Sequence, residues 1–205
     1  YFAALYQKLG QETFIGKSSR RDINRLQYHQ TRKIIMETWL DSVNIRLMRE
    51  SDLPLIEWGD EYVRYRKIYR EVYRNFLAGR AFPWIAEIEK YSVIGQVFLT
   101  EKQPDPAFDP EQPYMFLSSF RVKPDFRNRG LGTLLLKICE VTARDRNIHN
   151  VFLNCAKTNK RCKAFYERNG FTVLREDPGK WSFIDHKGAV REEAEPAWTM
   201  VKKIE

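Results

Sequence analysis

The sequence contains few of the residues that would cross-link or break up a small fold. It has three cysteines, three histidines, ten glycines and nine prolines. An odd number of cysteines without a Cys-x-x-Cys pair is atypical of a disulfide framework or a zinc site, and it favours a reducing compartment. With 43% hydrophobic and 30% charged residues, collagen-like and low-complexity chains are excluded. We therefore expect a folded protein that holds no metal.

Long hydrophobic runs are missing as well. No stretch approaches the roughly 20 apolar residues that span a bilayer. Residues 1–10 lack the basic start and continuous apolar stretch of a signal peptide. These absences predict a cytoplasmic protein with no membrane partner. At roughly 150 residues per domain, a chain of 205 residues is expected to form one domain with an appendage.

Positive charge is concentrated in one part of the chain. The net charge is +8, and residues 121–168 alone carry 12 basic and 4 acidic side chains. Residues 41–120, in contrast, carry 10 basic and 13 acidic side chains. A site for a phosphate-rich ligand, a nucleic-acid surface and a solvated basic face would all leave this pattern. Charge alone does not choose among the three.

The hydrophobic periodicity predicts a mixed α/β fold. A weak helical pattern before residue 44 predicts a helical N-terminal arm over residues 1–43, followed by one domain over 44–205. Strands are expected at residues 114–122 and 151–155, and each is followed by a helical pattern. A long amphipathic helix is expected over residues 60–78. Further strands are expected at 44–48, 84–89, 92–100, 171–174 and 198–202. Hairpin strands followed by strands alternating with helices predict a mixed sheet with helices on both faces.

A basic turn that contains two glycines joins the strand at 114–122 to the next helix. Its residues are Arg127, Asn128, Arg129, Gly130, Leu131, Gly132 and Thr133. Glycines let the main chain approach a ligand closely, and the N–H groups and dipole of a helix start attract anions. The turn lacks the Gly-Lys-Ser/Thr of a P-loop and the third glycine of a dinucleotide fingerprint. It is suited to a pyrophosphate, and an ordinary strand-to-helix connection is the alternative.

A second motif follows about thirty residues later and contains Asn159, Phe165, Tyr166, Gly170 and Phe171. Together with the turn and the Val-x-Pro that precedes it, this motif resembles the GNAT superfamily of acyl-CoA-dependent N-acyltransferases. The turn matches the family's Arg/Gln-x-x-Gly-x-Gly/Ala pattern. The second motif matches Asn-x-x-Ala-x-x-Phe/Leu-Tyr-x-x-x-Gly-Phe, with cysteine at position 162 instead of alanine. The resemblance covers about residues 44–203 and leaves out the N-terminal arm.

The resemblance implies a splayed sheet and transfer of an acetyl group from acetyl-CoA to a primary amine by direct attack. The strand 114–122 would part from the strand 151–155, and main-chain groups of Phe120 and Val122 would bind the pantetheine arm. Tyr166 would hydrogen-bond or protonate the departing thiolate. The cofactor site would consist of the seven turn residues with Asn159 and Phe165. Residues available to the 3′-phosphate would be Lys160, Arg161, Lys163 and Arg168.

The acceptor and the general base are left open by the sequence. Candidates for the base are Glu87, Glu89, Ser118 and Ser119. The acidic balance of residues 41–120 hints at a cationic amine, carried by a small molecule or a peptide. A long insertion before the last strand, with Trp181, Asp185 and His186, is expected to form the other wall of the acceptor site.

Two other functions compete with the enzyme interpretation. One is a catalytically silent CoA-binding regulatory module, in which the turn binds the cofactor and no amine is acylated. The other is a basic nucleic-acid-binding domain, although no known nucleic-acid-binding motif is present. We expect no nucleic-acid partner. The N-terminal arm could pack on its own domain, form a homodimer or belong to a longer chain.

Overall fold

The fold is known from a computed structural model that describes residues 39–89 and 92–205. The prediction of a helical arm over residues 1–43 lies almost entirely outside these residues. Within the described part the chain forms nine β-strands and three α-helices. The strands are β1 (Asn44–Leu47), β2 (Ala81–Ile88), β3 (Ser92–Lys102), β4 (Tyr114–Val122), β5 (Asn150–Ala156), β6 (Thr172–Asp177), β7 (Lys180–Ile184), β8 (Val190–Ala194) and β9 (Ala197–Lys203). The helices are α1 (Arg66–Leu77), α2 (Leu131–Asp145) and α3 (Lys160–Arg168).

Seven of these strands form one sheet in the order β1-β2-β3-β4-β5-β9-β6, and β7 and β8 form a separate hairpin. Within the seven-stranded sheet, β4 and β5 are parallel and every other pairing is antiparallel. The inner strand β3 is buried over most of its length, as expected for a strand covered on both faces. The predicted mixed α/β fold is therefore confirmed.

The parallel pair β4 and β5 is joined over a short distance only. The register pairs Met115, Phe116 and Leu117 with Val151, Phe152 and Leu153, and it ends there, although both strands continue. A β-bulge distorts β4 just beyond this point, where Ser119 has a φ of 49°. A bulge bends its strand and increases the local twist. The carboxyl-terminal halves of the two strands consequently part, as the sequence predicted.

The helices lie on both faces of the sheet. Successive strand residues point to opposite faces, and Ile85 packs in a core cluster with Tyr69 of α1. The preceding residue, Trp84, donates its Nε1–H to Thr142 of α2 on the other face, over 3.2 Å. Phe165 of α3 lies against the start of α2, so α3 shares the α2 face. We refer to the two sides of the sheet as the α1 face and the α2 face.

Two predictions about individual elements need correction. The helix expected over residues 60–78 begins at Arg66, because the preceding residues form a turn and a 3-10 helix over Val63–Tyr65. The Tyr62 N–H donates to the Glu57 carbonyl, which closes a loop around Trp58 and Gly59 at positive φ. The strand expected at residues 84–89 begins earlier, at Ala81, and ends at Ile88. The insertion before the last strand forms the β7–β8 hairpin. Among the helices of the described residues, none is long and apolar enough to cross a membrane.

Candidate active site

The basic turn forms the N-terminus of α2. Asn128 and Gly130 have φ values of 59° and 86°, and this left-handed backbone is one that glycine adopts without strain. The first hydrogen bond along α2 runs from the Leu134 N–H to the Gly130 carbonyl, over 3.0 Å. The N–H groups of the three preceding residues, Leu131, Gly132 and Thr133, therefore have no acceptor within the helix. The turn provides amide donors at the positive end of a helix dipole.

Close packing explains the second glycine of the turn. A Cβ placed on Gly132 would lie 3.1 Å from Cζ of Phe165 and 3.7 Å from Cζ of Phe120. The rings of Phe120 and Phe165 also meet each other in an edge-on contact at 5.8 Å. The start of α2, the bulged part of β4 and α3 are thus packed together at the place where the sheet parts.

The open edge of β4 exposes main-chain groups toward the gap. The Lys123 N–H donates to the Ile94 carbonyl of β3, over 2.9 Å, and Val122 is paired with Gly95. Neighbouring residues of a strand alternate in the direction of their N–H and C=O groups. The N–H and C=O of Val122 therefore point away from β3, toward the side on which β5 has departed.

These groups fit the cosubstrate that the resemblance implies. The Val122 carbonyl accepts a hydrogen bond of 2.7 Å from Nε of Arg127, and it keeps a second lone pair for an incoming amide. Arg127, Asn128 and Arg129 are exposed, so their polar groups can reach a phosphate. An extended chain laid along β4 would pair with the strand edge at one end and meet the α2 amides at the other.

Tyr166 is a buried tyrosine within the aromatic group around the gap. It is 5% exposed, and its ring contacts those of Phe120, Phe165 and Phe171 at centroid distances of 6.3, 5.4 and 5.5 Å. Burial raises the pKa of Tyr166 well above its usual value, and the neighbouring thiols of Cys162 and Cys155 act in the same direction. The phenol is consequently protonated over the whole physiological pH range and can donate a hydrogen bond.

The remaining residues of the second motif begin and extend α3. The Asn159 side chain caps this helix, because its Oδ1 accepts a hydrogen bond of 3.0 Å from the Cys162 N–H. Phe165 is half-buried beside Gly132. Lys163 is paired with Glu167, whereas Lys160, Arg161 and Arg168 are exposed. Of the basic residues expected to meet a 3′-phosphate, Lys160 and Arg161 lie at the start of α3.

The candidates for the general base lie in different surroundings. Glu87 accepts hydrogen bonds from Arg46 and Asn44 at the β1–β2 edge, and the Arg46 bond lowers the pKa of the Glu87 carboxyl. Glu89 is exposed at the end of β2. Ser118 and Ser119 are half-buried in β4, next to the bulge. The two serines are therefore the candidates that the fold brings to the gap.

The α1 face of the gap carries an arginine that the sequence analysis did not identify. Arg121 lies on the part of β4 that is not paired with β5, and its Nη1 donates to the Tyr69 hydroxyl over 2.8 Å. Its guanidinium carbon lies 3.8 Å from the ring centroid of Tyr62. Tyr65 continues this aromatic surface and stacks on Trp181 of the hairpin at 6.2 Å. The insertion thus packs against the aromatic surface of the α1 face.

Other polar features lie away from the gap. A cavity of about 640 Å³ is found at the opposite end of the sheet, lined by residues such as Glu101, Arg146 and His149. Within residues 39–89 and 92–205, no group of His, Cys, Asp and Glu side chains is arranged to hold a metal ion. The three cysteines are free thiols, two of them buried.

Comparison with known proteins identifies the family. Residues 39–171 match the family described as Acetyltransferase (GNAT) family. This match covers more than half of the chain, so the chain belongs to the GNAT acetyltransferase family. The prediction of an acyltransferase that uses acetyl-CoA is confirmed at the level of the family. A search among curated proteins finds no match.

Solved structures share the fold at low sequence identity. Naa20 from Chaetomium thermophilum, in complex with a bisubstrate analogue, is 21% identical with a TM-score of 0.60, covering 78% of this chain and 86% of that one. The PaiA N-acetyltransferase from Thermoplasma acidophilum, in complex with coenzyme A, is 20% identical with a TM-score of 0.58, covering 79% and 99%. Spermidine N-acetyltransferase from Vibrio cholerae, in complex with CoA and spermine, is 15% identical with a TM-score of 0.57, covering 80% and 96%. At these identities the similarity shows the fold.

Proposed function

We propose that the protein is an N-acetyltransferase that moves the acetyl group of acetyl-CoA directly to a primary amine. The observation that carries this proposal is the parting of β4 and β5 beside the amide donors of α2. The cosubstrate supplies a thioester, which an amine can attack without any covalent enzyme intermediate. The chain then has three tasks, which are to bind the donor, polarise its carbonyl and assist the leaving thiolate.

The donor side of the site lies on the α2 face. The amides of Leu131, Gly132 and Thr133 point from a helix start, and such groups bind pyrophosphate oxygens. The exposed side chains of Arg127, Asn128 and Arg129 add hydrogen-bond donors and positive charge. The open edge of β4 at Phe120 and Val122 would bind the amides of the pantetheine arm as an added strand. The N–H groups of this edge would also stabilise negative charge on the carbonyl oxygen.

Tyr166 is the residue assigned to the leaving group. A thiol has a pKa of about 8.5 and a phenol one of about 10, and the pKa of Tyr166 is raised further by burial. Full early proton donation by such a weak acid is unfavourable. Tyr166 therefore stabilises the thiolate through a hydrogen bond, with a late proton transfer.

The acceptor amine would enter from the α1 face. The α2 face of the gap is filled by Phe120, Phe165 and Tyr166, so an amine that approaches the thioester carbonyl in line needs the other side. There the half-buried Ser118 and Ser119 would relay the proton of the attacking amine, directly or through water, each hydroxyl accepting that proton as it passes its own on toward the leaving thiolate. The aromatic wall of Tyr62, Tyr65 and Trp181 would exclude bulk water.

The proposal is tested by measuring thiol release from acetyl-CoA over a panel of amines, for wild type and the Tyr166→Phe variant. We expect wild type to turn over at least one amine, and Tyr166→Phe to lower kcat about a hundredfold with little change in CoA affinity. The matched control is Tyr73→Phe, which removes the hydroxyl of a partly buried tyrosine on α1 and should keep full activity.

Two results would count against the proposal. Equal activity of wild type and Tyr166→Phe would remove the role of Tyr166. Tight CoA binding without acetylation of any amine would favour the catalytically silent module.

A further inference from the structure

Arg121 differs from three other arginines on or near the α1 face because it has no ion-pair partner among the described residues. Arg66 pairs with Glu57 at 2.6 Å, Arg64 with Glu193 at 3.1 Å and Arg191 with Asp185 at 2.8 Å. Arg121 is half-buried, and within residues 39–89 and 92–205 no carboxylate lies within ion-pair distance of it. Partial burial of a guanidinium without a counter-ion is unfavourable, and a bound anion would remove that cost.

The guanidinium is held in a fixed position. One of its nitrogens donates to the Tyr69 hydroxyl, and Tyr69 is only 1% exposed and belongs to the α1-face core. The guanidinium carbon of Arg121 lies 3.8 Å from the ring centroid of Tyr62, where a cation–π contact stabilises the charge. Within residues 39–89 and 92–205 the bond to Tyr69 is the one hydrogen bond that the Arg121 guanidinium donates, so its other donors remain available to a bound group. Arg121 is therefore oriented before any ligand arrives.

A second polar group on this face also lacks a partner. Gln96 of β3 is paired directly with Arg121 of β4, so the two side chains leave the same face of the sheet as close neighbours. Gln96 is 0% exposed, and neither its Nε2 nor its Oε1 has a hydrogen-bond partner. A buried side-chain amide without any hydrogen bond is rare in native proteins. A polar ligand beside Arg121 would supply the missing partner, directly or through one ordered water.

We propose that Arg121 is a specificity residue that binds a carboxylate of the amine acceptor, so that the enzyme acetylates aminocarboxylates rather than polyamines. The planar guanidinium matches a carboxylate in charge and geometry, and the same positive charge disfavours a polycationic acceptor. The acidic balance of residues 41–120, which hinted at a cationic acceptor, does not oppose this proposal. Glu57 of that segment is bound by Arg66. Glu61 approaches the hydroxyl of Tyr62 and lies outside ion-pair distance of Arg121. The proposal rests on the proposed N-acetyltransferase function.

The test compares acceptors that differ only in the carboxylate. Each of the common L-amino acids is assayed beside its carboxamide, with spermidine as the polycationic probe. Dipeptides ending in glutamate are assayed beside those ending in glutamine, to separate a free amino acid from a peptide as the source of the carboxylate. Wild type should favour the acid over the matched amide about tenfold or more in kcat/KM. The difference should reside mainly in KM.

The variants are Arg121→Gln and Arg121→Lys, with Arg70→Gln as the matched charge control on the exposed side of α1. Arg121→Gln should abolish the preference by lowering kcat/KM for the acid about tenfold more than kcat/KM for the matched amide, whereas Arg70→Gln should keep the preference. Arg121→Lys should keep part of the preference, because the charge remains without the planar fork. A preference that survives in Arg121→Gln, or a wild-type preference for spermidine, would overturn the proposal.

The two proposals can fail separately. If no amine is acetylated but CoA raises the melting temperature, the transferase function fails. Binding of the acids and amides to the CoA-loaded protein, measured by calorimetry, then still tests Arg121. Acetylation of amides and acids at equal rates would leave the transferase function standing and refute the carboxylate subsite.

Discussion

Single residues at the gap are constrained by contacts that the motif pattern does not reveal. The family pattern accepts glycine or alanine at the second turn position. In this chain a Cβ on Gly132 would lie 3.1 Å from the Phe165 ring, so alanine would require this ring to move by a few tenths of an ångström. The ring cannot retreat freely, since it also contacts Tyr166 at 5.4 Å. The size of Phe165 and the choice of glycine are therefore coupled.

We predict that Gly132→Ala lowers CoA affinity and destabilises the protein. Overpacking costs about 1–3 kcal/mol, and the better helix propensity of alanine offsets roughly 1 kcal/mol of this cost. The net loss of unfolding free energy is expected to be about 1 kcal/mol. In a Phe165→Leu background, which removes the crowding ring edge, Gly132→Ala should cost less. Equal costs in both backgrounds, measured by urea unfolding and CoA titration, would contradict this coupling.

At the scale of elements, a buried ionic network fixes the edge of the sheet on which α1 packs. Arg46 of β1 donates to Asp52 at 2.6 and 2.9 Å and to Glu87 of β2 at 2.9 and 2.6 Å. Asp52 is 2% exposed. Burial raises the pKa of Asp52, but hydrogen bonds from Arg46 and from the Arg49 N–H outweigh it and lower the pKa overall. This network holds β1, β2 and the 3-10 helix Glu50–Asp52 together.

Arg46→Met should strongly destabilise the protein, because it leaves Asp52 buried without its counter-ion. We expect a loss of about 3 kcal/mol in unfolding free energy. The control Arg74→Met removes the exposed pair with Glu71 and should cost less than about 0.5 kcal/mol. Adding Asp52→Leu to Arg46→Met should restore much of the loss.

The network also predicts a dependence of stability on pH. A carboxyl whose pKa is lower in the folded state stabilises the protein above its unfolded pKa of about 3.9. This contribution disappears as the pH falls below that value. Wild type should therefore lose stability in acid more steeply than the Arg46→Met/Asp52→Leu variant. Parallel acid profiles of the two proteins would refute the assignment.

At the scale of the whole molecule, the fold collects basic residues at one edge of the sheet. The parallel strands β4 and β5 have their carboxyl ends at the same edge, and each is followed by a helix that begins there, α2 and α3. The starts of these helices carry exposed Arg127, Arg129, Lys160 and Arg161. Under the proposed function, a ligand with several phosphate groups would meet both helix starts at once, and the basic segment would serve that ligand rather than a nucleic acid.

Coenzyme A should therefore stabilise the whole chain. At a concentration about 100 times Kd, binding contributes about 2.7 kcal/mol, which corresponds to a rise of about 5 °C or more in Tm for a domain of this size. Dephospho-CoA should give a smaller shift, and Lys160→Gln/Arg161→Gln should reduce the difference between the two ligands. A short DNA duplex should give no comparable shift. Stabilisation by the duplex alone would support the nucleic-acid alternative.

Much of the site could be predicted from the sequence because its parts are local. The strand at Tyr114–Val122, the glycine-containing turn and the helix start at Leu131 follow one another along the chain. Their hydrophobic periods and capping residues encode them directly. The β7–β8 hairpin had a comparable local signal, with alternating Trp181 and Phe183 before a turn that contains Gly188, although the sequence analysis described this segment only as a long insertion.

The sequence by itself determined the order of strands and helices, because short-range spacing sets which face of each element is apolar. It also determined the residues of the basic turn, because they follow one another along the chain. Only the tertiary structure decided what surrounds Arg121. Its contact with Tyr69 spans 52 residues of the chain, and its pairing with Gln96 depends on the register and bulge of β4 against β3. Contacts of this kind result from how separate elements dock, and no local spacing encodes them.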